Sequence, residues 1–374
     1  MAQIVPAPGQ FIADDLFRRA VLSTVDAGRF AVPEDLWRDA LTRGLRAPYF
    51  RLVRDGSTLP PATRRAGVGH RSIDDVIQPN RVLELHAAGA TIVLQGLQFT
   101  DPHLGRIANN LALDLDHAVQ VNAYLSPAAA RGLELHFDQH DVFVLQLDGR
   151  KRWRVWEPLE RTRLPVRVGP RVAMPTFDEL GPPSIDRTME RGDCLYLPRG
   201  YPHAAETVDE SSAHLTIGVI PSMWHHAVRY AVDEAVAAGA LRESIRLEEL
   251  AVPDLAPVSA SLDSLAVRRW MAAEVWRKQP ATRLRPLQPP VVELDTRVEV
   301  TPGPLLWLTG SEGRAELGLG DRTLTMPAEA HPMLAAALRS TAGFELGALD
   351  VELDDDSRLV VGQRLAAEGV IAPA

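Results

Sequence analysis

The sequence has almost no cysteine: Cys194 is the only one in 374 residues. That excludes an intrachain disulfide and a thiolate metal cluster. It also lacks a long apolar run, since no stretch approaches the roughly 20 residues needed to cross a bilayer. The N-terminus, "MAQIVPAPGQFIADDLF", has no basic segment followed by an apolar core, which excludes a signal peptide of the usual kind. The expectation is a cytoplasmic protein without membrane contact. Positive charge is in deficit too. Lys and Arg number 40 against 49 Asp and Glu, giving a net charge of −9, without the basic footprint of a general nucleic-acid binder. What is present is ordinary for a globular chain, 46% hydrophobic and 24% charged, and the length suggests two or three domains.

Hydrophobic periodicity divides the chain. Up to about residue 50 the text reads as short helices, with Leu36, Ala40 and Leu41 at helical spacing in "PEDLWRDALTRGL". From Gly89 it turns to strands. "ATIVLQGLQF" is apolar and β-branched, and "AVQVNAYLS" alternates Val119, Val121 and Ala123 with Gln120, Asn122 and Tyr124. A helix, "DPHLGRIANNLALDLD", separates the two. The stretch from 133 to 156, "LELHFDQHDVFVLQLDGRKRWRVW", reads as a strand, a turn at "DGRK" and a second strand. Residues 160–190 are Pro-rich and loop-like, and "GDCLYLPRGYPHAAET" and "SSAHLTIGVI" supply two more strands. Many short strands with Gly/Pro turns point to a mainly β core, a barrel or double-sheet jelly roll, for residues 1–221.

After Pro221 the pattern is helical. "MWHHAVRYAVDEAVAAGALRESIRLEELA" places Val228, Val232, Ala235 and Val236 along one stripe, and "SLDSLAVRRWMAAEVWRKQ" carries Leu262, Leu265, Trp270 and Trp276. This pair, residues 222–279, has more apolar surface than a small module hides, which predicts packing against a second copy of the chain. "PATRLRPLQPP" is a linker. Residues 291–374 read as strand, helix, helix, strand, a winged-helix-like pattern. From Asp321 onward there are 9 acidic residues against 4 Arg, the wrong balance for contacting phosphates; a protein-contact module is expected.

The chemistry is concentrated in few residues. On a strand, side chains at i and i+2 share a face, so His136 and Asp138 project together. Sixty-five residues on (203 − 138), Pro198 and Gly200 form a turn that swings His203 back toward the sheet. Two imidazoles and one carboxylate make a facial triad with an open side, the donor set of oxygen-activating iron(II) rather than of a closed four-ligand zinc site. Read singly, the same residues have plainer explanations. His136 and Asp138 fit a surface pair on an edge strand. Lys151, among Arg150, Arg152 and Arg154, fits a solvated turn, and His214 a satisfied core imidazole. His140 has the parity of the triad but lies about 7 Å further along an extended strand, where it would line a pocket mouth.

"HFDQHDVFVLQLDGRKRWRVW" and "GDCLYLPRGYPHAAET" resemble the metal motifs of JmjC-type cupin oxygenases, specifically the ribosomal-oxygenase branch. The resemblance covers roughly residues 40–220, and more loosely the helical and winged-helix-like parts C-terminal to them. It implies a double-stranded β-helix with His136, Asp138 and His203 as iron(II) ligands, 2-oxoglutarate as cosubstrate and O2 as oxidant. It also implies a dimerising helical domain, hence a homodimer, and a winged helix after the barrel. Lys151 stands 15 residues after His136 (151 − 136) and matches the family's basic residue for the distal carboxylate of 2-oxoglutarate. Asn122, Tyr124 and Thr216 are similar to the amide, phenol and hydroxyl lining that pocket. The implied reaction is oxidative decarboxylation of 2-oxoglutarate to succinate coupled to hydroxylation of a protein side chain, arginine or histidine of a ribosomal protein. A hydroxylase of a small metabolite or peptide, and a metal-binding scaffold or sensor without turnover, use the same residues and remain alternatives.

Overall fold

The computed structural model describes residues 1, 4–30, 33–128, 130, 134–163, 172–244, 253–262, 264–280, 283–304, 307–311, 313–340 and 343–374. It divides into two compact units, Met1–Pro221 and Ser222–Ala374.

Among the described residues the first unit has thirteen strands: β1 Val21–Thr24, β2 Phe50–Arg54, β3 Ser57–Thr58, β4 Thr63–Val68, β5 Arg71–Ile77, β6 Thr91–Leu94, β7 Ala118–Ser126, β8 Asp141–Asp148, β9 Lys151–Val155, β10 Ile185–Met189, β11 Asp193–Leu197, β12 His203–Thr207 and β13 Ser212–Ile220. Eight of them form one antiparallel sheet in the order β1-β11-β8-β13-β7-β6-β2-β3, faced by a smaller sheet β10-β9-β12. Between them lie Val142, Val144, Trp153, Val155, Met189, Leu195 and Leu197, all buried. This is the jelly-roll core anticipated from the alternating pattern. The helix Pro102–Leu115 packs its apolar stripe, Leu104, Ile107, Ala108, Leu111 and Leu115, inward. Asp101 caps it by accepting from the His103 and Leu104 amides, and Pro102 occupies the first turn where a missing N–H costs nothing.

Several expectations need correction. The first 50 residues are not all helical, because Val21–Thr24 is an edge strand paired with β11. "GLQF" turns helical after β6, at Leu97–Thr100, since Gly96 takes a left-handed φ of 63° that ends the strand. The Pro-rich segment contains β10, paired with β9; residues 164–171 within it lie outside the described part. "GDCLYLPRGYPHAAET" supplies two strands by itself, β11 and β12. The hairpin β4–β5 carries no hydrophobic alternation and was not anticipated.

In the second unit, helices Trp224–Ala237, Ala256–Leu262 and Leu265–Trp276 share a small core. The buried stripe of the first is Ala227, Ala231 and Ala235. Val228 and Val236, which belong to the stripe expected from the sequence, are exposed. Residues 245–252 of the expected helix, and 281–282 of the linker, lie outside the described residues. The rest combines strands β14 Arg297–Val300, β15 Trp307–Ser311, β16 Arg314–Gly318, β17 Thr323–Pro327, β18 Phe344–Glu345 and β19 Ile371–Pro373 with helices His331–Arg339 and Asp355–Ala367. Both helices were expected; the three-stranded sheet β15-β16-β17 was not. Buried Glu368 is clamped by Arg285, Arg322 and Arg364.

Candidate active site

Strand register sets the order of the inward-facing side chains. Because alternate residues share a face, the large sheet presents successive rungs. Gly218 pairs with Gln120, then Thr216 with Asn122, then His214 with Tyr124. The third rung continues through Val93 on β6 to Arg51 on β2. The fourth joins Ser212 and Ser126 with Thr91 and Val53.

The segment 134–140 is not the regular strand expected from its sequence. His136 is held by an isolated bridge to His203, through paired backbone hydrogen bonds of 3.1 and 2.8 Å. Asp138 lies in irregular chain whose carbonyl accepts from the Gly200 amide at 2.9 Å. Buried Asp141 ties the same turn to β8, accepting from the Tyr196 hydroxyl and the Arg199 amide. Pinning to the 198–203 turn, rather than strand parity, brings the three side chains together. Nitrogen or carboxylate atoms of His136, Asp138 and His203 all lie within 4.8 Å of one another, with His203 Nε2 3.9 Å from Asp138 Oδ2. The Nδ1 of His136 sits 2.7 Å from the Glu134 carbonyl and that of His203 3.0 Å from the Tyr201 carbonyl. Both rings therefore donate from Nδ1 and leave the Nε2 lone pair free, the tautomer a metal requires. Burial, followed by the neighbouring His136 charge, holds the His203 pKa down to about 4, so the ring is neutral at ordinary pH. Two imidazoles and a carboxylate suit a divalent transition ion with positions left open.

A cavity of about 620 Å³ runs from this triad into the barrel, lined by Val93, Val142, Val144, Trp153 and Ala205 among others. His136 and Asp138 are half-buried and mark the open end, whereas Lys151, Ser126 and Ser212 are buried. Lys151 opens β9, four residues from Val155, which pairs with His203; that is about 13 Å of extended strand. Its Nζ donates to Ser126 Oγ at 3.1 Å, and Thr91 Oγ1 donates to the same hydroxyl at 3.1 Å. It makes no ion pair among the described residues, and burial pulls its pKa down to about 8. A buried cation without an anion is costly, and its surroundings fit a carboxylate brought by a ligand.

Tyr124 and Thr216 line the same cavity. Asn122 does not. Its Oδ1 accepts from the Gly96 amide and from Gln120 Nε2 at 3.1 and 3.0 Å, which fixes the turn after β6. His140 packs over Gly218, where a Cβ would come within 2.8 Å of the imidazole ring, one rung toward the mouth. Three polar lining residues are not assigned to the site by the sequence. His214 stacks on Tyr124 at 4.7 Å, and burial and then the Lys151 charge keep it neutral. Ser126 and Thr91 flank the lysine. Parity would have found the first two, since His214 lies two residues from Thr216 and Ser126 two from Tyr124.

Residues 94–227 match the JmjC domain family. The chain is similar over part of its length to proteins named ribosomal oxygenases. It is 31% identical over 162 residues to a bifunctional lysine-specific demethylase and histidyl-hydroxylase NO66 of Dictyostelium discoideum, covering 42% of this chain and 31% of that protein. It is 39% identical over 130 residues to ribosomal oxygenase 2 of Rattus norvegicus, covering 34% and 27%. The chain thus spans less than a third of these relatives' lengths. In fold the likeness runs through both units. YcfD, a ribosomal oxygenase from Escherichia coli solved in complex with cobalt and 2-oxoglutarate, aligns over 99% of each chain with a TM-score of 0.58 at 16% identity.

Proposed function

We propose that this protein is an iron(II)- and 2-oxoglutarate-dependent oxygenase that hydroxylates a protein side chain, arginine or histidine of a ribosomal protein. One observation carries the reading: the triad His136, Asp138 and His203 opens onto a cavity whose inner end holds a buried lysine lacking an anion. His136, Asp138 and His203 would hold the metal. Lys151, with Ser126 and Thr91, would take the distal carboxylate of the keto acid, flanked by Tyr124 and Thr216. Bound there, the iron supplies oxygen activation, coupled to conversion of 2-oxoglutarate to succinate and carbon dioxide. The protein's part is to keep both imidazoles in the ligating tautomer, seat the dicarboxylate along the barrel, and exclude bulk water with Val93, Val142, Val144 and Trp153.

The NO66 relative is named a histidyl-hydroxylase and YcfD a ribosomal oxygenase, and a chain of net charge −9 favours a basic partner such as a ribosomal protein. In this reading residues 1–221 form the oxygenase domain, 222–279 a helical dimerisation domain, and 291–374 a winged-helix-like module that contacts protein rather than nucleic acid. The setting is the cytoplasm. The test is 2-oxoglutarate turnover with iron(II) and a panel of ribosomal proteins, each followed by mass spectrometry. A 16-dalton gain on one protein, lost with His136→Ala, is expected. Succinate formation with no protein modified would overturn the substrate, and no 2-oxoglutarate binding would overturn the oxygenase.

A further inference from the structure

We propose that Arg51 is a positioning residue for the cosubstrate, its guanidinium fixing the Tyr124 phenol as a hydrogen-bond donor into the cavity. The inference rests on the oxygenase reading above. Arg51 shares a rung with Val93, Tyr124 and His214 through successive strand pairings, and the guanidinium reaches across Val93 to the phenol oxygen, which Thr216 also reaches. Its neighbours along β2, Leu52 and Val53, are buried and apolar. Its Nε is fully buried with no acceptor, and Arg51 forms no ion pair among the described residues. A half-buried guanidinium so placed adds nothing to folding that an apolar side chain of similar length would not. Its value lies in direction.

Guanidinium is donor-only, whereas a phenol both donates and accepts. Beside Arg51, the Tyr124 oxygen is committed to accepting, so its hydrogen must point elsewhere. Inside the barrel the alternatives are the Thr216 hydroxyl or an arriving carboxylate, and a charged acceptor is the stronger partner. Stacking on the buried His214 ring, at 4.7 Å and an interplanar angle of 3°, fixes the phenol's plane. Arg51 then fixes which way its hydrogen faces. Without Arg51 the phenol accepts from Thr216 as readily as it donates, and the cavity loses a donor prepared in advance.

The test is calorimetric titration of 2-oxoglutarate into the full-length manganese(II)-loaded protein, with Arg51→Met, Arg51→Lys, Tyr124→Phe and the double variant Arg51→Met/Tyr124→Phe. Arg51→Met should raise the dissociation constant about tenfold, the worth of one charge-assisted hydrogen bond. Arg51→Lys should raise it less. In the Tyr124→Phe background Arg51→Met should add less than about twofold, because the two residues act as one unit. The melting temperature of Arg51→Met should equal or exceed that of the parent. An equal weakening in both backgrounds would show that Arg51 touches the ligand itself and overturn the assignment, as would an unchanged constant in Arg51→Met. If the parent protein binds no 2-oxoglutarate, the oxygenase reading fails and this one with it. If the parent binds and Arg51→Met binds equally, only the role of Arg51 falls.

Discussion

Lys151 is where folding and binding pull in opposite directions. Burial lowers its pKa to about 8, while an unfolded lysine keeps its proton to about pH 10.4. Between those values the unfolded chain binds the extra proton, so stability should rise with pH across that window and be flat with respect to this group below 8. The full effect is on the order of 3 kcal/mol. Carboxylate binding needs the charged form, so affinity moves the other way. The dissociation constant for 2-oxoglutarate should rise about fivefold between pH 8 and pH 9, as the charged fraction falls. Lys151→Met should abolish measurable binding while raising the midpoint of chemical denaturation at pH 7. Calorimetry across pH and urea titration read the two effects separately. A binding constant unchanged from pH 7 to 9.5 would mean that Lys151 does not face the ligand.

At the scale of elements, a single turn controls the lysine's position. Gly149 adopts φ 60°, and a Cβ there would lie 1.9 Å from the Ser211 carbonyl oxygen. This backbone overlap cannot be relieved by rotating a side chain. Gly149→Ala should cost about 2–4 kcal/mol, more than the ordinary left-handed penalty, and weaken 2-oxoglutarate binding by shifting the start of β9. Thermal denaturation with calorimetry checks both, and retention of parental stability would disprove the constraint. The sequence announces this turn in "DGRK" and announces β7, β8 and β13 by alternation, because each buries one face. The triad loop reads as strand because "LELHF" alternates, yet it is ordered by the bridge to His203, 67 residues away in sequence (203 − 136), and by the Gly200 amide on the Asp138 carbonyl. No local pattern encodes such a bridge. Asn122 has the parity of Tyr124, but parity gives the face and not the depth. The Gly96 amide, 26 residues away, claims its oxygen. His214 reads from sequence as a plain core imidazole because such residues are common in cores. Its role emerges only from the aromatic and cationic neighbours the fold brings to it.

For the whole molecule, the decisive surface is on the helix Trp224–Ala237. Its buried stripe of Ala227, Ala231 and Ala235 uses small residues, which leaves the larger apolar groups outward. Trp224 is 83% exposed and Val228 40%, and one and two turns farther lie Val232 and Val236, the latter exposed. Leu265 on a neighbouring helix is exposed as well. At i, i+4 and i+12 these groups spread over roughly 120° of the helix surface, with Val232 between them partly buried against the helical core, and apolar surface exposed in this way marks an interaction site. A two-fold dimer presents the same patch from both copies, so a charge introduced near its axis meets its own image. Val228→Glu combined with Val236→Glu should therefore raise the dimer dissociation constant more than about a hundredfold, since like charges facing each other cost several kcal/mol. Light scattering on the full chain at micromolar concentration should change from twice the 41.0 kDa chain mass to the chain mass itself. Binding of 2-oxoglutarate at the proposed site, whose residues all lie in the first unit, should be unaffected. A parent protein that is monomeric at every concentration, or a double variant that stays dimeric, would show that this face is not where two copies meet.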